Sequence, residues 1–160
     1  MVGKDKIKAG GILQSHGLCL MGVMSAPDRP GIVSAVFRAL GEERLNAQFV
    51  VQSIDLNNDS HVQFCVSSQD CDRVLAALRP VALDLGAKKV SACRSVALVS
   101  VFGPDFRSRP GIAGLAFGAL ADAGVNILAV STSISTVSCV IKEEDYQTAI
   151  RALHRVFDLP

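Results

Sequence analysis

No stretch of about 18 apolar residues runs without a charge, a glycine or a proline, so no membrane-spanning helix is expected. Neither sign of charge dominates. Lys and Arg number 16 and Asp and Glu 15, for a formal net charge of +1, which argues against a nucleic-acid binder that relies on bulk electrostatics. Charged residues are scarce at 19%, against 49% hydrophobic, a balance that points to surface held against a partner. The five cysteines (Cys19, Cys65, Cys71, Cys93, Cys139) are odd in number and never spaced C-x-x-C, so neither a disulfide framework nor a zinc knuckle is expected. Several sit inside apolar runs, as in Phe64-Cys65-Val66 and Ser138-Cys139-Val140, and read as small buried hydrophobes of a reducing compartment. His16, His61 and His154 lie far apart without i,i+4 partners, so no metal site is expected. The opening residues 1–8 carry charges with no long apolar region after them, unlike a secretory signal, and a cytoplasmic location is expected.

The chemistry of catalysis is missing too. There is no G-x-S-x-G, no phosphate-binding G-x-x-x-x-G-K-[ST] and no H-E-x-x-H. Ser131-Thr132-Ser133 is rich in hydroxyls, but no histidine lies near it in sequence, and it reads as a strand end. No catalytic residue, metal or cofactor is expected in this chain.

What the chain does have is a repeat. Arg29-Pro30-Gly31-Ile32 returns as Arg109-Pro110-Gly111-Ile112, an offset of 80. The same offset carries Phe37 onto Phe117, Ala39-Leu40 onto Ala119-Leu120 and Asn46 onto Asn126. Further on it falls to 75, carrying Leu75 onto Ile150 and Ala77-Leu78 onto Ala152-Leu153. The five lost residues correspond to Leu56-Asn57-Asn58-Asp59-Ser60, a polar turn. A length change confined to a turn is what a structural repeat should show.

Each copy reads β-α-β-β-α. Residues 18–25 form a strand apolar on both faces. Pro30-Gly31 opens a helix, with proline in its first turn and Ile32, Val33, Val36, Phe37 and Leu40 as its apolar stripe. A strand around Phe49, Val51 and Ile54 follows, then an alternating one from His61 to Val66. A second helix starts near Asp70 or Asp72 and stops at Gly86, and Lys88–Ala92 supplies a fourth strand. The first copy is therefore a ferredoxin-like βαββαβ unit. The second has strands at 96–103, 127–132 and 137–141 and helices at 109–123 and 144–157, then ends without a last strand. The spare segment from Lys8 to Gln14 either fills that vacancy or is a tail left from something upstream. The economical fold is α+β: two ferredoxin-like domains, the first over 18–93, the second over 95–160 with 8–14 as its completing strand.

The strand-to-helix turn, Asp28-Arg29-Pro30-Gly31 and Ser108-Arg109-Pro110-Gly111, is the one feature with binding chemistry that occurs twice. Free N–H groups at a helix start attract a carboxylate, and glycine lets a ligand approach the backbone. Asp28 could hold an ammonium. An amino acid carries both groups. The turn also reads simply as a tight turn with a good helix start.

These residues resemble a known family. Ala26-Pro27-Asp28-Arg29-Pro30-Gly31, with Leu45-Asn46 and Val51-Gln52, is similar to the first ACT domain of the aspartate kinase regulatory region. Val101-Phe102-Gly103, Arg107-Ser108-Arg109-Pro110-Gly111 and Gly124-Val125-Asn126-Ile127 resemble the second. Val130-Ser131-Thr132-Ser133 with Ser138-Cys139-Val140-Ile141 looks like that family's "STSE…SCVV" segment. The resemblance implies an allosteric module for feedback inhibition by threonine or lysine, with the effector between a first-type and a second-type lobe. It implies effector contacts at Asp28, Pro30, Gly31, Ile32, Val33 and Gln52, at Asn126 and Ile127 through backbone groups, and a response position at Ser133. It also implies a homodimer and a kinase catalytic domain or subunit as partner. Departures are Ile134 in place of the glutamate, the following Ser135 and Thr136, and Arg29 and Arg109 in the two turns. They leave open a stand-alone ACT amino-acid sensor acting on another partner.

Overall fold

The computed structural model describes residues 5–160. The first half of the stretch read as lacking a signal, residues 1–4, lies outside the described residues. In chain order the elements are β1 (Ile7–Lys8), β2 (Gly11–Pro27), α1 (Ile32–Glu42), β3 (Gln48–Ile54), β4 (Asp59–Ser67), α2 (Cys71–Leu85), β5 (Lys89–Phe102), α3 (Ile112–Asp122), β6 (Ile127–Thr132), β7 (Thr136–Lys142), α4 (Tyr146–Val156) and β8 (Phe157–Asp158). Short 3₁₀ turns precede α2, α3 and α4. The chain divides into two compact units. One is Gly17–Ser95, and the other joins the chain up to His16 with Val96–Pro160.

In the first unit the strand order is β3-β4-β2-β5. β2 and β4 run antiparallel, with Met21 opposite Phe64 and Val23 opposite Val62. Alternation puts Cys19, Met21 and Val23 of β2 and Val62, Phe64 and Val66 of β4 into one core. Two helices close it. Ile32, Val36 and Leu40 recur every four residues on α1, and Val74, Leu78, Ala82 and Leu85 line α2. The Phe37 ring meets Phe64 at 5.2 Å between centroids. Gly86, at φ 71, ends α2 in the left-handed conformation.

The second unit repeats this plan in the order β2-β5-β7-β6. Ala97, Val99 and Val101 of β5 and Val137, Cys139 and Ile141 of β7 face Ile112, Ala116 and Leu120 of α3 and Ala149, Ala152 and Leu153 of α4. Its fourth strand comes from the beginning of the chain. The Gly10 N–H donates to the Phe102 carbonyl at 2.7 Å, and Ile12 packs on this core. The α+β plan of two ferredoxin-like sheets, the second completed by the N-terminal segment, is thus the observed fold.

The structure corrects several details. The chain does have a last strand: β8 pairs in parallel with β1, Ile7 opposite Phe157. Two residues carry no periodicity to read. β2 starts before residue 18 and β5 runs on past Ala92, because pairing continues where the apolar pattern breaks. The helix expected from 109 starts at Ile112, with Arg109 extended and Pro104–Ser108 in a 3₁₀ turn. The helix expected from 144 starts at Tyr146. Pro30 lies before the helix rather than in its first turn, because Gly31 at φ 98 is the N-cap. Cys93 is exposed, whereas the other four cysteines are buried. No helix among the described residues is long and apolar enough to cross a membrane.

Two outcomes follow from these cores. Phe64→Ala should cost about 3–5 kcal/mol in urea denaturation, the range for deleting a large buried ring; a loss under about 1 kcal/mol would mean the core does not rest on it. Burial pushes the Cys65 thiol up to about 12 and those of Cys19 and Cys139 up to about 11. A maleimide at neutral pH should therefore label one thiol rapidly in the native protein, Cys93, and all five only after unfolding.

Candidate functional site

In the first unit the turn from Asp28 to Gly31 joins β2 to α1. Its glycine is conformationally required, since φ 98 is open to few other residues, and a Cβ there would meet nothing within 4 Å. No side chain caps α1. The Ala35 N–H donates to the Gly31 carbonyl at 2.9 Å, which leaves the N–H groups of Ile32, Val33 and Ser34 without an intrahelical acceptor. They point out of the positive end of the helix dipole. Ile32 is 2% exposed and serves the core with its side chain, so only its backbone N–H is available. Val33 is half-buried beside it, and Pro30 is exposed.

Asp28 is half-buried. Its N–H donates to the Asn58 carbonyl at 2.9 Å, and its carboxylate makes no ion pair among the described residues. The Arg29 guanidinium turns away to the Asp84 carbonyl at 3.3 Å. Gln52 lies on the outer strand β3, opposite Val62 of β4. Its Nε2 donates to the Ser60 hydroxyl at 2.9 Å, and Ser60 pairs with Ala26 of β2. Gln52 therefore stands at the end of the sheet where the turn emerges. The first unit brings Asp28, Gly31, the N–H groups of Ile32 and Val33, and Gln52 to one end of its sheet. A carboxylate at the helix start with an ammonium near Asp28 is the chemistry this end can accept.

In the second unit Gly111 at φ 89 repeats the left-handed N-cap, again with no side-chain cap. A cavity of about 230 Å³ opens there, lined by Arg109, Gly111, Thr132, Ser133 and Ile134 among others. Ser133 thus belongs to this end of its sheet. Asn126 and Ile127 do not. They stand at the start of β6, and a strand of that length separates them from Ser133 by roughly 20 Å.

Sequence reasoning missed His61. Its Nδ1 accepts the Ser25 N–H at 3.1 Å, and its Nε2 meets the Asp55 carboxylate at 2.9 Å. Asp55 also accepts the N–H groups of Asn57 and Asp59 at 2.8 and 3.1 Å. The imidazole first, and the Asp59 N–H next, hold the Asp55 carboxyl below its ordinary range. Their stabilisation is thus present above that range and is lost as pH falls through the lowered value. The polar five-residue excess of the first copy was the available signal. Among the described residues no three His, Cys, Asp or Glu side chains are grouped to hold a metal ion.

Comparison with known proteins agrees with the fold. Residues 99–157 match the ACT domain family. An aspartate kinase of Stutzerimonas stutzeri is 32% identical over 137 residues, covering 86% of this chain and 33% of that protein. The chain therefore spans about a third of the curated relatives it matches. The ligand-free regulatory subunit of aspartate kinase from Thermus thermophilus superposes with a TM-score of 0.84 at 29% identity, covering 94% of this chain and 99% of that one. Aspartate kinase from Synechocystis gives a TM-score of 0.89 at 28% identity, covering 98% of this chain and 29% of that one.

The two glycines at the ends of α1 separate backbone need from helix preference. Gly31→Ala should destabilise by about 1 kcal/mol, the cost of a left-handed alanine. Gly41→Ala, inside α1 with nothing within 4 Å of its Cβ, should be neutral or stabilise by up to about 1 kcal/mol. Urea denaturation of both variants checks this, and equal effects would refute the assignment of Gly31 as a left-handed cap.

Proposed function

On the premise that this chain has the tandem ACT architecture of aspartate kinase regulatory regions and is a regulatory, non-catalytic chain of that enzyme, we propose that it binds a small amino acid and transmits feedback inhibition by threonine, lysine or both. The observation that carries the reading is the uncapped start of α1 behind Gly31, with the free Asp28 carboxylate and Gln52 at the same end of the sheet. The zwitterion's carboxylate meets the N–H groups of Ile32 and Val33, and its ammonium meets Asp28. Asn126 and Ile127, remote from the Gly111 turn of their own unit, are effector contacts only by the family resemblance, through their backbone groups. Ser133, on the wall of its own cavity, couples occupancy to response. The effector acts through its differential affinity for two arrangements of the chain. No cofactor takes part.

The proposed partner is a kinase catalytic domain or subunit in the cytoplasm. A solved aspartokinase with separate alpha and beta subunits, 28% identical to this chain with a TM-score of 0.83, supports the separate-subunit form. The outer strands β3 and β6 carry exposed Val50, Ile54 and Val130 and favour pairing with a second copy as a homodimer. One observation favours a stand-alone ACT sensor with another partner instead: Ile134, 67% exposed, stands where the family has an acid.

Titration calorimetry with threonine, lysine and methionine tests the effector reading. Heat is expected for threonine or lysine, with a loss of about tenfold or more in affinity for Asp28→Ala and for Gln52→Ala, the cost of one hydrogen bond to a charged group. No heat for any amino acid up to millimolar concentration would sink it. Co-purification with a kinase domain whose activity falls on adding the bound amino acid separates the kinase regulator from the stand-alone sensor.

A further inference from the structure

The five-residue excess of the first copy does something that its counterpart in the second unit does not. It lengthens the hairpin between β3 and β4, which places His61 and Asn58 against the segment Ser25–Asp28 that leads into the Gly31 turn. Ser25 needs gripping. Its φ of 56 is left-handed for a residue with a side chain, and it sits in the register shift of β2 between Val23 and Ala26. Its N–H goes to His61 Nδ1 at 3.1 Å. Three residues on, the Asp28 N–H goes to the Asn58 carbonyl at 2.9 Å. On the other side the Lys88 N–H meets the carbonyls of Met24 and Ser25 at 3.1 and 3.3 Å. In the second unit the comparable link is backbone alone, Gly103 N–H to the Ser135 carbonyl at 3.0 Å.

The hydrogen bonds fix the state of the imidazole. Nδ1 accepts, so it bears no proton, and the proton of the neutral ring is on Nε2, where it donates to Asp55. A protonated ring donates from both nitrogens. It would keep Asp55 and turn a donor toward the Ser25 N–H. The other charged groups around this segment are Asp59, which pairs with Lys88 at 3.4 Å, and the Asp28 carboxylate.

We propose that His61, set by Asp55, is a positioning residue for the Asp28–Gly31 turn, and that loss of its Nδ1 acceptor loosens that turn and weakens amino-acid binding. The proposal rests on the effector reading of this turn, and the experiment separates the two. Residue-resolved amide hydrogen exchange reads the grip directly, and calorimetry with threonine and with lysine reads binding. Asparagine at position 61 can place an oxygen where Nδ1 is, whereas glutamine reaches toward Asp55 and leaves Ser25 without its acceptor. His61→Asn should keep the protection of the Ser25 and Asp28 amides near wild type. His61→Gln should lose about tenfold at both. Bound amino acid should follow the same order. Equal protection in the glutamine and asparagine variants overturns the proposal. So does a change in Ser25 protection that leaves Asp28 and the affinity untouched. If the exchange pattern holds but wild type binds no amino acid, the effector reading falls while the grip of His61 on the turn stands.

Discussion

The second unit depends on backbone bonds that tie the start of the chain to its middle and its end. Gly10 donates to Phe102 at 2.7 Å, and Ala9 donates to Asp158 at 2.9 Å. They extend the pairing of β2 with β5 to the start of the chain and seat Ile7 and Ile12 on the core on which they pack. The approach is so close that a Cβ on Gly10 would stand 2.8 Å from the Phe102 ring, which accounts for the Ala9-Gly10-Gly11 sequence. The first unit has no such demand, because Gly17–Ser95 is contiguous. Its contacts close within its own length, whereas the second unit must recruit a strand from across the whole of the first. Loop-closure entropy grows only slowly with length, so the arrangement costs little stability. Its effect falls on folding, where the non-local pairing forms late.

The same backbone plan, used twice, has been finished in two ways. Both helices start behind a left-handed glycine, Gly31 at φ 98 and Gly111 at φ 89. Both end with a matching bond, Leu45 N–H to Leu40 and Val125 N–H to Leu120, each at 2.9 Å. Repetition of the turn follows from sterics, since only glycine enters a helix from that conformation without strain. What differs is what surrounds it. The segment leading into the first turn is held by one side chain of a long hairpin, His61, and by the Asn58 backbone carbonyl. The second has a short hairpin, closed by Ser133 N–H to the Thr136 carbonyl at 2.8 Å, and a cavity beside Arg109. Equal backbones with unequal surroundings allow one turn to respond to conditions that leave the other unmoved.

The repeat, the helix stripes and the central strands were legible because they rest on periodicity, and periodicity is local. Asp28 and Gly31 stood out as chemistry, an acid and a permissive glycine at a strand-to-helix turn, whereas Gln52 entered only through the family resemblance. The start of α1 was misjudged by two residues because proline in a first turn and proline just ahead of a left-handed cap look alike in sequence. The β1–β8 pair was invisible, since two residues paired across the length of the chain leave no pattern. His61 was equally hidden. Its meaning comes from Ser25, 36 residues back, and from a carboxylate six residues away across a turn. Spacing of that kind carries no signature until the sheet brings the groups together.

The missing cap on α1 has a thermodynamic side. A side-chain cap contributes about 1 kcal/mol to a helix, and this helix does without one. Glycine at the N-cap recovers much of that difference by solvating the N–H groups freely, yet leaves them open to a ligand. A Ser or Asp in its place would compete with an incoming carboxylate for the same donors. The protein therefore keeps its helix start slightly less stable than it could be, and under the proposed function a bound carboxylate would supply what the cap would have given. Such a ligand stabilises the folded chain by RT ln(1 + [L]/Kd), and it does so at the turn whose entry His61 holds in place. Binding and local order are then coupled at one point of the backbone. On the proposed function, a small zwitterion would bias the chain from there by ordering the helix start it binds.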